Sequence, residues 1–148
     1  MCTGSSPSLL ARLNFGRALG PLEARVMEVV WRHGPCTVRD VLTAFSEASQ
    51  PEVAYTTAMT VMGNLVEKGL LICHAAGRSY IYTAAVTRDA FVRAQVKAVL
   101  DTLLDGFTAP TLSYFAERLS TGEPAQLSEL ERLIAAERAR LAEKDDSL

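Results

Sequence analysis

Apolar side chains recur at helical spacing over residues 21–33, where Leu22, Val26, Val29 and Val30 share one face with Trp31 beside them. Pro21 suits a first helical turn, and Gly34-Pro35 ends the run. A second helix opens at Thr37. Thr37-Val38-Arg39-Asp40 has capping-box form, with Asp in place of Glu, and Val38, Val41, Leu42 and Phe45 supply the inner face. Residues 46–52 read as a polar loop. A third helix over 55–68 turns Ala58, Val61, Met62, Leu65 and Val66 inward. It turns Thr56, Thr57, Met59, Thr60, Gly63, Asn64 and Glu67 outward, and Gly69 is free to take the left-handed cap. The period then changes to two. Residues 70–74 and 79–83 read as strands around Ala75-Ala76-Gly77-Arg78. Tyr80 and Tyr82 alternate with Ile81 at strand period, so one face packs on the core and the other is free; packing is expected for Tyr82, and for Tyr80 either packing or a phosphate hydrogen bond.

Beyond a linker at 84–86 the helical period returns. A long helix over 87–104 carries Phe91, Ala94, Ala98, Val99 and Leu103, and Asp105-Gly106 breaks it. A shorter helix from about 110 to 119 carries Leu112, Phe115, Ala116 and Leu119. After a second break at 121–124, the last helix starts near Ser128, where Ser128 and Glu131 form another capping box. Its apolar residues are Leu127, Leu130, Leu133, Ile134 and Leu141. Three helices in roughly 60 residues are too few to bury their own stripes. Burial against a second copy is the simplest solution, so a homodimer is expected, with Phe91, Val99, Leu103, Leu112, Phe115, Leu119, Leu130, Leu133 and Ile134 in its interface. The fold class is mostly α: a winged helix-turn-helix with a small β-hairpin wing, plus a C-terminal helical dimerisation region. Residues 1–18 read as a flexible arm, 19–84 as the winged helix, 85–143 as the dimerisation region and 144–148 as a tail.

Composition sharpens this in three ways. Hydrophobic residues make up 49% of 148, enough for a core and too many for a disordered chain. No apolar run approaches the ~18 residues of a membrane span, and the first residues lack the pattern of a signal peptide. A cytoplasmic protein is expected. Cys2, Cys36 and Cys73 are odd in number and far apart, which argues for reduced thiols rather than a disulfide framework. The net charge of -2 does not advertise a nucleic-acid binder. It is uneven, however: residues 1–86 carry seven basic and six acidic side chains, residues 87–148 eight and eleven. A nearly neutral first half implies few phosphate contacts per subunit, which a dimer would double.

A hydroxyl-fronted helix followed by a basic-tipped hairpin is what a winged-helix DNA reader needs. The helix enters the major groove by its N-terminal residues, and the wing tip meets phosphate or minor groove. The candidate contacts are Tyr55, Thr56, Thr57, Met59, Thr60 and Asn64 on the third helix, Arg78 and Tyr80 on the wing, and Thr37 and Arg39 opening the second helix. Three β-branched residues are mediocre formers of a helix start. A merely solvated face gives no reason for them, and DNA contact does. His33-x-x-Cys36 and Cys73-His74 match zinc-ligand spacing poorly. No metal and no cofactor are expected. There is no glycine-framed nucleophile and no phosphate-cradling loop, so no enzyme is expected.

The chain resembles the BlaI/MecI penicillinase-repressor family over about residues 19–143. The resemblance rests on Leu19-Gly20-x-Leu22-Glu23-x-x-Val26-Met27, Trp31, and Thr37-Val38-Arg39-Asp40-Val41. It continues in residues 54–62 and 65–71, in the wing Gly77-Arg78-Ser79-Tyr80-Ile81-Tyr82, and in residues 107–117. It implies a winged-helix repressor that binds a near-palindromic operator of double-stranded DNA as a homodimer. Thr56, Thr57 and Thr60 would face the groove, and Arg78 and Tyr80 the backbone. It also implies control of β-lactam-response genes and release by a membrane sensor-protease system, with cleavage near Tyr114-Phe115. Asn64 stands where the family usually has Arg, and Ile81 where a basic residue is common. Each removes a cation that could hold phosphate or guanine. The alternative is a winged-helix protein-interaction module without specific DNA binding, whose acidic C-terminal half binds a partner.

Overall fold

The computed structural model describes residues 19–147; the expected arm, Cys2 and Leu148 lie outside them. Among the described residues five helices and a hairpin follow in order: α1 Pro21–His33, α2 Val38–Glu47, α3 Tyr55–Glu67, β1 Leu71–Ala76, β2 Ser79–Ala84, α4 Arg88–Ser120 and α5 Pro124–Asp145. The chain divides into two compact units between Lys97 and Ala98. Among the described residues no helix is long and apolar enough to cross a membrane.

The first unit is built as the apolar spacing dictates. Val26, Met27 and Val30 of α1, Val38, Val41 and Phe45 of α2, and Ala58, Met62 and Leu65 of α3 are buried together. Leu71 and Tyr82 close the core from the hairpin. Each helix end has a local cause. The Gly20 amide donates to Glu23 Oε2 at 2.7 Å, which starts α1. Thr37 and Asp40 form the expected reciprocal cap: Asp40 N–H donates to Thr37 Oγ1 at 3.2 Å, and Thr37 N–H to Asp40 Oδ2 at 2.7 Å. Gly69 ends α3 at φ 74°, with Leu70 N–H bonded back to the Leu65 carbonyl and Gly69 N–H to that of Val66.

The hairpin pairs antiparallel from Leu71 with Ala84 to Ala76 with Ser79, so the turn is Gly77-Arg78, two residues shorter than expected. Gly77 takes φ 63°, as a two-residue hairpin turn requires. Cys36 and Tyr82 exchange backbone hydrogen bonds at 3.0 and 2.8 Å. The loop between α1 and α2 thereby adds a single bridge to the hairpin edge and fixes the wing to the body.

The first unit continues into α4. Trp31 Nε1 donates to the Val86 carbonyl at 2.9 Å, and its ring packs on Phe91 with centroids 5.5 Å apart. Arg88 pairs with Glu28 at 3.4 Å. The expected interface role of Phe91 is thus corrected: it is 5% exposed, filled against Trp31 of its own chain.

In the second unit the expected break near Asp105-Gly106 is a kink within α4, with Phe107 at φ -140°, ψ 44°. Pro110 lacks an N–H and its ring crowds the carbonyl four residues back, on Gly106, so the helix must bend there. The Thr108 hydroxyl donates to the Leu104 carbonyl at the bend. The last helix begins one turn earlier than expected. Pro124 takes its first turn after Glu123, so Ser128 is an interior residue, not a cap. Beyond Phe91 no described residue is buried.

Candidate nucleic-acid interface

The outward face of α3 is as the period placed it. Tyr55 and Met59 are about half exposed, at 48% and 47%, and Thr56, Thr57, Thr60 and Asn64 are exposed beside them. Ala54 at its N-cap offers no side-chain cap, and the first turn holds no acidic residue. The first intrahelical bond is Ala58 N–H to the Ala54 carbonyl, so the amides of Tyr55, Thr56 and Thr57 point out of the helix end. Open amides and the positive end of the helix dipole together suit an anionic oxygen.

The hydroxyls differ in what they can offer. Thr60 Oγ1 donates to the Thr56 carbonyl at 2.9 Å, so Thr60 presents its methyl group and oxygen lone pairs outward. Thr56 and Thr57 spend no hydroxyl hydrogen bond among the described residues. Thr37 is engaged locally: its Oγ1 donates to Asp40 Oδ2 at 2.8 Å while accepting from the Asp40 amide. That hydroxyl is consumed in the cap and has no donor for DNA. The two hydrogen bonds from Thr37, backbone first, hold the Asp40 carboxyl below its ordinary pKa.

Arg78 sits exposed in the hairpin turn, and Arg39 exposed in the first turn of α2. Neither has an ion pair among the described residues. Tyr80 is 61% exposed, while Tyr82, two residues along the same face, is 6% exposed. The Tyr82 phenol is pushed above its usual pKa, first by burial, then by the Cys73 thiol and by the Tyr55 and Tyr80 hydroxyls.

A set of residues invisible to sequence spacing holds the turn before α3. Arg25 Nε on α1 donates to Gln50 Oε1 at 2.7 Å, and its Nη2 to the Pro51 carbonyl at 3.0 Å. Its guanidinium lies over the Phe45 ring of α2, 4.2 Å from the centroid. Lys68 at the other end of α3 pairs with Glu23 of α1 at 2.7 Å. The partners are 25 and 45 positions apart, so no local pattern announces them.

Cys36 is buried, and burial with the nearby Asp40 charge raises its thiol to about 11. Cys73 is exposed. Among the described residues no three His, Cys, Asp or Glu side chains converge as a metal ion would require. Of the expected interface residues, Val99, Leu103, Leu112, Phe115, Leu133 and Ile134 are exposed in the single chain, and Leu119 and Leu130 are half-buried. Tyr114 and Phe115 are exposed but lie inside helical backbone after the kink.

Residues 19–136 match the model of the penicillinase repressor family. The transcriptional regulator BlaI of Mycobacterium tuberculosis is 36% identical over 107 residues, 71% of this chain and 76% of the relative. The penicillinase repressor of Bacillus licheniformis is 24% identical over 124 residues, 82% of this chain and 92% of the relative. The solution structure of Bacillus licheniformis BlaI, in monomeric form with the blaP half-operator, aligns with a TM-score of 0.40 and 27% identity. That alignment covers 48% of this chain and 84% of the other. The chain belongs to the penicillinase repressor family of transcriptional regulators.

Proposed function

We propose that this protein is a sequence-specific DNA-binding repressor that acts as a homodimer on a near-palindromic operator. The observation that carries the reading is the uncapped, hydroxyl-lined start of α3 beside a wing tipped with an unpaired Arg78. Thr56, Thr57 and Met59 read base edges by hydroxyl and methyl contacts, the open amides and Arg78 take phosphate, and Asn64 reads adenine or phosphate. Arg39 adds a second cation per subunit. Family membership supports repression as the outcome, with polymerase excluded from the occupied promoter.

Dimerisation belongs to the same reading, because the second unit has apolar faces and, among its described residues, none that is buried. A dimer sets two copies of α3 about 34 Å apart, in successive turns of the major groove. Control of β-lactam-response genes, and release by a sensor-triggered protease, complete the model. Cleavage at Tyr114-Phe115 requires that turn of α4 to open first, because a protease takes extended backbone. Hydroxyl-radical footprinting on the promoter of the chain's own gene tests the proposal. Two protected patches one helical turn apart are expected. A single patch contradicts the dimeric arrangement, and uniform reactivity contradicts operator binding.

A further inference from the structure

We infer that Arg25 is a positioning residue for DNA recognition: it sets the angle at which α3 leaves the helix-turn-helix turn, without touching DNA itself. The inference rests on the operator-binding reading above. The turn between α2 and α3 comprises residues 48–54, and three features converge on it. Arg25 clamps it from α1 through Gln50 Oε1 and the Pro51 carbonyl, at 2.7 and 3.0 Å. The same guanidinium stacks over Phe45, the last buried residue of α2, so one planar group ties α1 to both α2 and the turn that leads into α3. The turn itself is strained: Ser49 is held at φ 52°, a conformation glycine takes freely and serine does not. Strain of this kind persists only where the surroundings over-determine it. The backbone does part of that, through Ser49 N–H to the Ser46 carbonyl and Gln50 N–H to that of Phe45. Arg25 then fixes the side chain of Gln50 and the carbonyl of Pro51, four residues before the first turn of α3.

The physical consequence is specific. A recognition helix that swings by a few degrees about its start displaces Thr56, Thr57 and Met59 relative to base edges. Phosphate contacts, being longer-ranged and less directional, survive such a swing. Loosening the clamp therefore costs discrimination between sequences more than it costs binding to DNA as such.

Two loss variants and one rescue variant test this in the full chain. Arg25→Met keeps an unbranched stem over Phe45 and removes both donated hydrogen bonds. Gln50→Ala leaves Arg25 and its ring contact in place and removes one bond from the loop side. Affinity is measured by anisotropy for a labelled duplex of the chain's own promoter and for a scrambled duplex, at several salt concentrations, with thermal melting alongside. Arg25→Met is expected to weaken promoter binding about tenfold, as loss of charge-assisted hydrogen bonds implies. Gln50→Ala is expected to weaken it about threefold, one bond being lost instead of two. Scrambled-duplex affinity and the salt slope stay as in the wild type. Arg25→Lys, which restores one donated bond, recovers part of the ratio. Both loss variants binding the promoter within twofold of wild type, with discrimination retained, overturns this inference alone. Equal loss on both duplexes with a shallower salt slope also overturns it, because Arg25 would then be a phosphate contact. A wild-type chain that does not distinguish the duplexes overturns the operator reading and this inference with it.

Discussion

Thr37 and Asp40 illustrate how a local cap can claim a side chain that is also a candidate contact. The capping pattern and the DNA-contact reading draw on the same hydroxyl, and the cap takes it: Thr37 Oγ1 both accepts from and donates to Asp40. The carboxyl pKa is depressed below 3.8 by these bonds. A depressed carboxyl stabilises the fold above its ordinary value and loses that contribution as pH falls through the folded value. Asp40→Asn should therefore melt earlier than wild type at neutral pH. The gap should begin to narrow as pH falls below the ordinary carboxylate value, and close once pH has fallen through the lower folded value. Melting curves taken from pH 7 down to pH 2.5 check this, and a gap independent of pH contradicts it. Asp40 is exposed, so solvent screening keeps the effect small.

At the scale of elements, the local codes set the boundaries and the distant contacts set the angles. The capping pattern at Thr37, the left-handed cap at Gly69 and the strand period around Tyr82 are all short-range signals; α1, α2 and α3 stand where those signals put them, and the wing does so with its first strand running two residues further into the turn. The exceptions have physical causes. Ser128 looked like a cap, but Pro124 is a better first-turn residue and lies one turn earlier. Phe91 carries the right period for an exposed stripe, but Trp31 lies 60 residues away in sequence, and only the fold brings the rings to 5.5 Å. The Arg25 clamp was illegible for the same reason. The end of α2 offers a direct test of strain. Ser49 occupies the position after the helix cap, at φ 52°, with the bonding pattern that usually selects glycine. Ser49→Gly relieves the left-handed penalty, offset in part by the greater freedom of the unfolded chain. A net gain of about 0.5–1 kcal/mol is expected in denaturant unfolding. A loss of stability would mean that the serine side chain contributes more than its backbone costs.

On the scale of the whole molecule, the two units differ in how completely each satisfies itself. The first has a closed core from Val26 to Tyr82. The second has Leu100, Leu103, Leu112, Phe115, Leu133 and Ile134 facing solvent in the single chain. Apolar area left in water on this scale suits a partner, and in the proposed homodimer a second copy would supply the matching surface by symmetry. Phe115→Asp and Leu133→Asp each place a charge in that surface. Either is expected to shift sedimentation from dimer to monomer at micromolar concentration. Promoter affinity should fall at least tenfold, since half the phosphate contacts are lost. Unchanged sedimentation in both would mean that these residues do not face the partner. The near-neutral charge of the first 86 residues makes this coupling matter more than it would in a strongly basic reader.

The central claim is that α3 and the wing read operator DNA as a dimer. It is tested most directly by anisotropy titration of the purified chain against a labelled duplex of its own promoter and a scrambled duplex, over a range of salt. Preference for the promoter is predicted. The slope of log affinity against log salt should be about -3 to -4 if Arg39 and Arg78 of both copies meet phosphate. Arg78→Ala should make that slope shallower by about 2 per dimer, and Thr57→Ala should weaken promoter binding with the slope unchanged. Equal binding to both duplexes, or none to either, would contradict the account and favour a winged helix that binds protein instead.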